Sequence, residues 1–176
     1  MRVISGKYKG RNLEGFNIKG TRPTMDRVKE SLFASIQNNI IESKCLDLFA
    51  GSGSLGIEAL SNGCSFCYFV DNNDEILKIL EKNLTGIDNN ILLKKDYKQA
   101  LKYFKDNKIK FDLIFLDPPY QLNLINSAID LINEYDLLND KGIIICEYEM
   151  EKINREELKI LKQKKYGNKY IKIYEK

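Results

Sequence analysis

The sequence predicts an α/β protein with a doubly wound, mostly parallel sheet of seven strands. From Lys44 onward, short apolar runs alternate with amphipathic helical segments, and several runs end at an acid. Repeated strand–helix units of this kind favour parallel strands with helices on both faces. The length of 176 residues suits one domain with a sizeable core. We therefore expect a single domain over residues 1–176, in which residues 1–23 form a basic hairpin and loop extension.

The elements follow in chain order from their patterns. Residues 2–5 and 12–16 flank a glycine-containing basic turn, which predicts a short N-terminal β-hairpin. Thr24 is expected to cap a helix that ends near Asn39. The later strands are predicted at residues 45–49, 66–70, 91–94, 111–116, 142–147, 158–162 and 170–174, the last two as an antiparallel pair. The later helices are predicted at residues 54–62, 74–84, 97–104 and 123–135, with a short helix near 153–157.

The net charge of +3 conceals an uneven distribution along the chain. Residues 1–30 contain eight Lys/Arg and three Asp/Glu, and residues 151–176 contain nine and four. Each end therefore carries +5 and the middle carries −7. Because phosphate contacts come mainly from Lys and Arg, the basic ends favour a polyanionic partner. The alternative is a lysine-rich surface that only keeps the chain solvated.

Composition excludes several kinds of chemistry. The chain has no histidine, which excludes Ser-His and Cys-His catalysis and metal sites built on histidine. Cys64 and Cys67 form a C-x-x-C pair, but no second pair has ligand spacing, so we expect buried thiols and no metal. No apolar run approaches the roughly 20 residues that span a bilayer, and no signal peptide is recognisable. We expect a cytoplasmic protein without membrane contact.

A glycine-rich loop follows the first predicted strand. Gly51, Gly53 and Gly56 form a G-x-G-x-x-G pattern, and Asp71 ends the next strand 20 residues after Gly51. In this context the glycines let the backbone approach a ligand, the helix N-terminus faces an anion, and the acid can hold ribose hydroxyls. Both a nicotinamide dinucleotide and S-adenosylmethionine meet this description.

S-adenosylmethionine accounts for more of the residues than a dinucleotide does. Its sulfonium cation suits additional acids near the strand ends, which Asp47 and Asp96 provide. A dinucleotide enzyme gives no role to Asp96 or to the Asp-Pro-Pro-Tyr stretch at 117–120, and it would have no histidine for proton transfer. The expected cofactor-binding residues are Asp47, Phe49, Ala50, Gly51, Ser52, Gly53, Asp71, Asn72, Asp96 and Tyr97.

Residues 111–120 predict a buried strand that ends abruptly in a rigid loop. Because a residue before proline is pushed toward extended geometry, Asp117 and Pro118 should both be extended. Their oxygens would then project from the strand end as two acceptors, followed by the ring of Tyr120. This arrangement suits a planar base with an exocyclic amine. A Pro-Pro strand stop with a chance Asp and Tyr is the alternative.

The sequence resembles the RsmD-type 16S rRNA guanine-N(2) methyltransferases over nearly its whole length. The Asp-Pro-Pro-Tyr signature is shared by many amino-group methyltransferases, whereas the N-terminal block combined with the glycine loop is more specific. Asp71 departs from the family, in which glutamate is common at this place. The resemblance rests on residues 2–11, 22–24, 26–30, 45–56, 111–120 and 165–167.

The resemblance implies a class I, Rossmann-like methyltransferase that uses S-adenosylmethionine to modify the 2-amino group of one guanine. The Asp117 carboxylate and the Pro118 carbonyl would accept the two amine hydrogens. Tyr120 would stack on a base taken out of the RNA stack.

The cofactor contacts can be assigned in the same way. Gly51 and Gly53 would approach the methionine part, and Asp71 would approach the ribose. Asp96 would accept from the adenine amine, with Tyr97 beside it. Asp47 would orient either the loop or the ammonium group of the cofactor.

The expected partner is 16S rRNA, within a small ribosomal subunit or an assembly intermediate, and the protein is expected to be a monomer. Cations at the start of the first helix oppose its dipole, which suggests that they face an anion. The expected RNA-binding residues are Lys7, Lys9, Arg11, Arg22, Arg27 and Lys29. One alternative is an amino methyltransferase that acts on another RNA or on DNA adenine. A second is a nucleic-acid-binding module without catalysis.

Overall fold

The structure is a computed structural model that describes residues 1–15, 22–119, 124–149 and 152–176. The strands are β1 Lys44–Asp47, β2 Phe66–Asp71, β3 Asn90–Lys94, β4 Phe111–Leu116, β5 Leu138–Tyr148, β6 Lys159–Tyr166 and β7 Lys169–Glu175. The helices are α1 Arg22–Ile40, α2 Ser54–Ser61, α3 Asp74–Leu84, α4 Tyr97–Asp106 and α5 Leu124–Glu134.

The strands of the described residues form one seven-stranded sheet in the order β3-β2-β1-β4-β5-β7-β6. Strands β1 to β5 pair in parallel, β7 runs antiparallel to β5, and β6 runs antiparallel to β7. The predicted fold class is therefore confirmed. The strand order reverses direction between β1 and β4, which creates a switch point. In open α/β sheets, ligands bind beyond the carboxyl ends of the strands at such a point.

Two hydrophobic clusters cover the two faces of the sheet. The first contains apolar side chains of α1, α2 and α3, among them Ile36, Ile57 and Leu80. The second contains those of α4 and α5, such as Phe104 and Ile129. Alternate residues of β4 enter opposite clusters, because successive strand side chains point to opposite faces. This two-sided burial explains why the central strand is almost continuously apolar.

The expected start of one helix is wrong, and one predicted helix is absent. Helix α1 begins at Arg22, so Thr24 lies inside its first turn and is not the cap. Pro23 is tolerated there because a first-turn N–H has no acceptor within the helix. The short helix predicted near 153–157 does not form, and residues 152–158 contain only irregular chain and a turn. The Ile153 carbonyl instead accepts a hydrogen bond from Lys172 Nζ at 2.8 Å, which ties this segment to β7.

The N-terminal segment forms the expected hairpin, but its described residues pair through an isolated bridge instead of two full strands. One antiparallel bridge joins Arg2 and Asn12, and Val3 N donates to the Arg11 carbonyl at 2.9 Å. The turn packs directly on α2. Gly6 has φ +77°, and a Cβ there would lie 1.8 Å from the Ser61 carbonyl oxygen. Only glycine therefore fits this contact.

A buried ion pair joins this segment to two helices. Glu58 of α2 is 0% exposed, and its carboxylate accepts from the backbone N–H groups of Ile4 and Ser5. Lys29 Nζ of α1 lies 3.0 Å from Glu58 Oε2 and also donates to Arg2 O and Ser54 Oγ. Because Lys29 is 6% exposed and fully engaged, the expectation that it contacts RNA is wrong.

We expect Glu58→Gln to lower the free energy of unfolding by about 3 kcal/mol or more, because it leaves the Lys29 ammonium buried without a counter-charge. Urea denaturation measures the loss, with Glu81→Gln on the exposed face of α3 as the control. The double variant with Lys29→Met should be less destabilised than the two single losses added together. A decrease in the free energy of unfolding of less than about 1 kcal/mol would contradict the prediction, because exposed ion pairs contribute that little.

Candidate functional site

Three carboxylates gather at the carboxyl edge of the sheet. Asp47 ends β1, Asp71 ends β2, and Asp117 directly follows β4. Because β1 lies between β2 and β4, Asp47 sits in register between Phe69 and Phe115. The predicted acids are therefore brought together at the switch point.

The glycine loop closes over the end of β1. Ala50 N donates to the Val70 carbonyl at 2.9 Å, and Gly53 N donates to the Ala50 carbonyl at 2.7 Å. Gly53 has φ +79°, and a Cβ there would lie 2.4 Å from Leu80 Cδ1. A Cβ at Gly56 would lie 2.3 Å from Phe69 Cε1. These two glycines therefore permit both the tight turn and close packing of α2 on β2.

Asp47 lies beneath this loop and is 2% exposed. Its Oδ2 accepts a hydrogen bond from Gly56 N at 2.9 Å. Burial raises the pKa of Asp47 to about 7, and the nearby Asp71 carboxylate adds to the shift, while the Gly56 hydrogen bond opposes it. Of the two roles left open for Asp47, these contacts support orientation of the loop.

Asp71 also holds the loop. Its Oδ2 accepts from Gly51 N at 3.0 Å and its Oδ1 accepts from Asn73 N at 3.0 Å. A carboxylate oxygen accepts more than one hydrogen bond, so these contacts leave Asp71 able to accept from a ligand as well. The expected ribose contact stays a prediction.

Asp96 and two aromatic rings stand beside the acids. Asp96 caps α4, where its Oδ1 accepts from Lys98 N at 2.9 Å and from Gln99 N at 3.2 Å. Tyr97 and Phe49 are half-buried, with ring centroids 5.6 Å apart. The remaining expected cofactor residues are the buried Ala50 and Ser52 and the exposed Asn72.

Asp117 occupies a charged and poorly solvated position. It is half-buried, while Pro118 is buried and Pro119 is exposed. Burial raises the pKa of Asp117 well above its usual range, and the carboxylates of Glu147 and Asp47 add to this, whereas the Lys169 ammonium opposes it. Tyr120 lies outside the described residues, so its stacking role stays a prediction.

Glu147 and Lys169 form an ion pair beside Asp117, and sequence reasoning missed both residues. Glu147 lies near the end of β5 and Lys169 begins β7. Antiparallel pairing brings these two ends together, with Tyr148 opposite Tyr170. Burial alone would lower the pKa of Lys169, but the carboxylates of Glu147 and Asp117 outweigh it and raise the pKa. An acid near a strand end was the available sequence signal for Glu147.

The other expected RNA-binding residues are placed less uniformly. Lys7, Lys9 and Arg27 are exposed. Arg11 is half-buried, and its guanidinium donates to the carbonyls of Asn83 and Thr85 at the end of α3. Arg22 begins α1, and its side chain lies outside the described residues. Three of the six expected cations therefore lie at the surface, where RNA could reach them.

The described part of the chain holds neither a metal cluster nor a helix that could span a membrane. Over residues 1–15, 22–119, 124–149 and 152–176, no group of three or more His, Cys, Asp or Glu side chains is placed to hold a metal ion. All four cysteines are free and buried, as expected for the thiols. Among the helices of the same residues, none is long and apolar enough to span a membrane.

The open sheet, its switch point, the glycine loop and the strand-end acids define the fold of a class I methyltransferase. The model of the family described as "Conserved hypothetical protein 95" matches residues 1–175. The Haemophilus influenzae protein named ribosomal RNA small subunit methyltransferase D is 38% identical over 180 residues, which cover 99% of this chain and 93% of that protein. This chain belongs to that family, the RsmD-type methyltransferases.

Two further comparisons agree with this assignment. Bacillus subtilis YlbH, named as a candidate rRNA methyltransferase, is 38% identical over 182 residues, which cover 100% of this chain and 99% of YlbH. The solved structure of Escherichia coli yhhF, described as a candidate methyltransferase, has a TM-score of 0.85 and 30% identity. That match covers 100% of this chain and 97% of the other.

We expect Asp47→Asn to change how stability depends on pH. With a folded pKa of about 7 against an ordinary value of 3.8, folded Asp47 keeps a proton that the unfolded chain has released. Stability of the unmodified protein should therefore fall as pH rises through this window. The amide side chain of the variant cannot titrate, so the variant should gain stability relative to the parent from about pH 4 to about pH 7 and then level off.

Urea denaturation across pH, without cofactor, measures this difference. The exposed Asp88→Asn is the control and should follow the parent at every pH. A pH-independent difference between Asp47→Asn and the parent would contradict the burial of an ionisable Asp47.

Proposed function

We propose that this protein transfers a methyl group from S-adenosylmethionine to the exocyclic 2-amino group of a guanine in 16S rRNA. The observation that carries this function is the position of Asp117 and Pro118 at the carboxyl end of the central strand β4, beside the glycine loop of β1. Similarity to a protein named ribosomal RNA small subunit methyltransferase D supports the substrate class. The partner would be the rRNA in a small ribosomal subunit or an assembly intermediate, and the protein a cytoplasmic monomer.

The residues at the switch point fit S-adenosylmethionine. Asp47, Asp71 and Asp96 place carboxylates where a molecule with a sulfonium and an ammonium would lie, and the rings of Phe49 and Tyr97 offer apolar surface to an adenine. Because its glycines carry no side chain, the loop after β1 allows close approach of the methionine part to the backbone. When bound, the cofactor supplies a methyl group activated by a positively charged sulfur.

The role of Asp117 and Pro118 follows from the chemistry of the guanine amine. Its lone pair is delocalised into the base, so the nitrogen is a poor nucleophile. Two acceptors, the Asp117 carboxylate and the Pro118 carbonyl, would hold the two N–H bonds and favour a more tetrahedral nitrogen. Most of the rate enhancement would then come from positioning and electrostatics. The nitrogen is acidic once it is methylated and positively charged, so Asp117 need not be a strong base.

The ion pair next to Asp117 adds control over its ionisation. Only an ionised Asp117 accepts from the amine without offering a competing proton. Lys169 favours that ionised state, whereas Glu147 opposes it. Burial and these two opposing charges together therefore set the pH at which the acceptor pair is competent.

Two alternatives keep the same acceptor pair or the same fold. An amino methyltransferase that acts on another RNA or on DNA adenine would use Asp117 and Pro118 in the same way. A nucleic-acid-binding module without catalysis would bind RNA but transfer nothing. Incubation with methyl-labelled cofactor and unmodified small ribosomal subunits, followed by mass analysis of the nucleosides, separates the proposed function from both alternatives. Label in N(2)-methylguanosine is the expected result, and label in methyladenosine or no label would refute the function.

We expect Asp117→Ala to reduce methyl transfer by about 100-fold or more, because it removes one of two groups that orient the amine. Binding of S-adenosylmethionine should stay within a few-fold, as measured by titration calorimetry. Asp88→Ala, which removes an exposed carboxylate, is the control and should leave both quantities unchanged. Normal turnover by Asp117→Ala would remove Asp117 from the reaction.

Two further variants should shift the pH profile in opposite directions. Lys169→Met removes the cation that lowers the pKa of Asp117, so the rising limb of methyl transfer should move to higher pH. Glu147→Gln removes a carboxylate that raises this pKa, so the limb should move to lower pH. Single-turnover rates measured across pH test this pair. Shifts in the same direction would contradict control of Asp117 by this ion pair.

A further inference from the structure

Apart from Arg27, the residues of one charged surface have no role in the proposed function. It lies where α1 meets the edge strand β6. Tyr166 Oη donates to Ser31 Oγ at 2.7 Å, and Lys162 Nζ donates to Ser35 Oγ. Arg27 precedes Ser31 by one helical turn and therefore lies on the same face of α1. We call this surface the α1–β6 seam, and it consists of Arg27, Ser31, Ser35, Lys162, Lys164 and Tyr166.

Strand β6 and the chain that follows it are rich in lysine, and part of this positive charge is not paired. Residues 159–172 contain six lysines and no Asp or Glu. Lys159 and Lys169 pair with carboxylates, and Lys172 is buried against a backbone carbonyl. The other three lysines have no carboxylate within ion-pair distance in the described part of the chain, and these are Lys162, Lys164 and Lys165. The seam thus keeps its charge available for an external anion.

Two of these lysines lie over tyrosine rings, which do not offset their positive charge. Lys164 Nζ lies 4.9 Å from the centroid of the Tyr166 ring, and Lys165 Nζ lies 5.1 Å from that of Tyr170. An aromatic ring carries no net charge, so a lysine held over it is not offset as a lysine paired with a carboxylate is. Lysines interleaved with tyrosines are typical of surfaces that follow a nucleic-acid backbone.

The seam also lies on the same side as the reaction centre. Strand β6 runs parallel to β5, because both are antiparallel to β7, so Tyr166 and the following turn lie at the carboxyl edge of the sheet. The first half of α1 is near this edge too, since Lys29 Nζ contacts Ser54 at the start of α2. The seam therefore starts at the edge that holds Asp117 and continues away from it along α1 and β6.

We propose that the α1–β6 seam binds phosphates of the substrate RNA beside the methylated nucleotide, an assignment that rests on the proposed function. The lysines of the seam carry positive charge that the described carboxylates do not offset. The seam also adjoins the carboxyl edge of the sheet, where Asp117 lies. Lysines on an edge strand can also serve to prevent edge-to-edge pairing between copies. That second role requires no RNA contact, so the two are separable.

The test compares two double variants of the full chain. Lys162→Gln with Lys164→Gln removes two charges from the seam and largely preserves side-chain length. The control is Lys44→Gln with Lys105→Gln, which removes two exposed lysines from the start of β1 and from α4, the second one 4.3 Å from the Tyr135 ring. Binding to transcribed, unmodified 16S rRNA is measured by filter retention over a series of KCl concentrations.

Loss of two phosphate contacts should reduce the slope of log K against log salt by about 1.5 and weaken binding about 10-fold at low salt. The control should keep the parental slope. Cofactor binding and thermal unfolding should be the same in both variants as in the parent.

Equal slopes for the two double variants would overturn the assignment. Aggregation of the seam variant with unchanged RNA binding would assign the lysines to edge protection. Loss of binding to small ribosomal subunits with normal binding to free 16S rRNA would identify a protein partner, which also overturns it. Labelled-methyl transfer by the parent separates this result from the function itself. If the parent transfers methyl groups and the two double variants have equal salt slopes, only the assignment of the seam is refuted. If the seam variant alone has a reduced salt slope and the parent transfers no methyl group, only the methyltransferase function is refuted.

Discussion

The reversal of strand order between β1 and β4 is the constraint on which the rest of the site depends. It places the ends of two buried parallel strands side by side and leaves a crevice beyond them. Asp47 and Asp117 lie at these two ends, where poor solvation raises the pKa of both carboxyl groups. The glycine loop and the proline-rich strand end are then forced into the same crevice, because each directly continues one of these strands.

Charged side chains near this edge are poorly solvated, so neighbouring charged groups have a large effect on them. Lys169 and Glu147 oppose one another in their effect on Asp117, and they lie on the antiparallel pair of strands β5 and β7. Farther back, Glu58 and Lys29 neutralise each other in the core while the N-terminal segment donates backbone hydrogen bonds to Glu58. This arrangement fixes the N-terminal segment against the helix that follows the glycine loop, so the basic turn over residues 7–9 has a defined position.

The bounds of helices and strands were predicted accurately where neighbouring residues alone determine them. The bounds of α3 were predicted correctly, because Asn73 caps the helix and acids occupy its first turn. The bounds of β4 were also correct, because its apolar run stops at prolines. The start of α1 was placed too late, since Thr24 offered a plausible cap while Pro23 is equally compatible with a first turn. The helix near Ile153 was wrong because long-range contacts from β7 occupy that segment.

The sequence by itself determined the fold class, the glycine loop and the acid before two prolines, because hydrophobic period and turn chemistry are properties of neighbouring residues. Only the tertiary structure decided that Lys29 is a core ion-pair partner, that Glu147 and Lys169 flank Asp117, and that the lysines of β6 lie against α1. These contacts join residues that are remote along the chain. Their formation depends on which strands become neighbours and on what burial does to a charge, and neither is encoded in a local pattern.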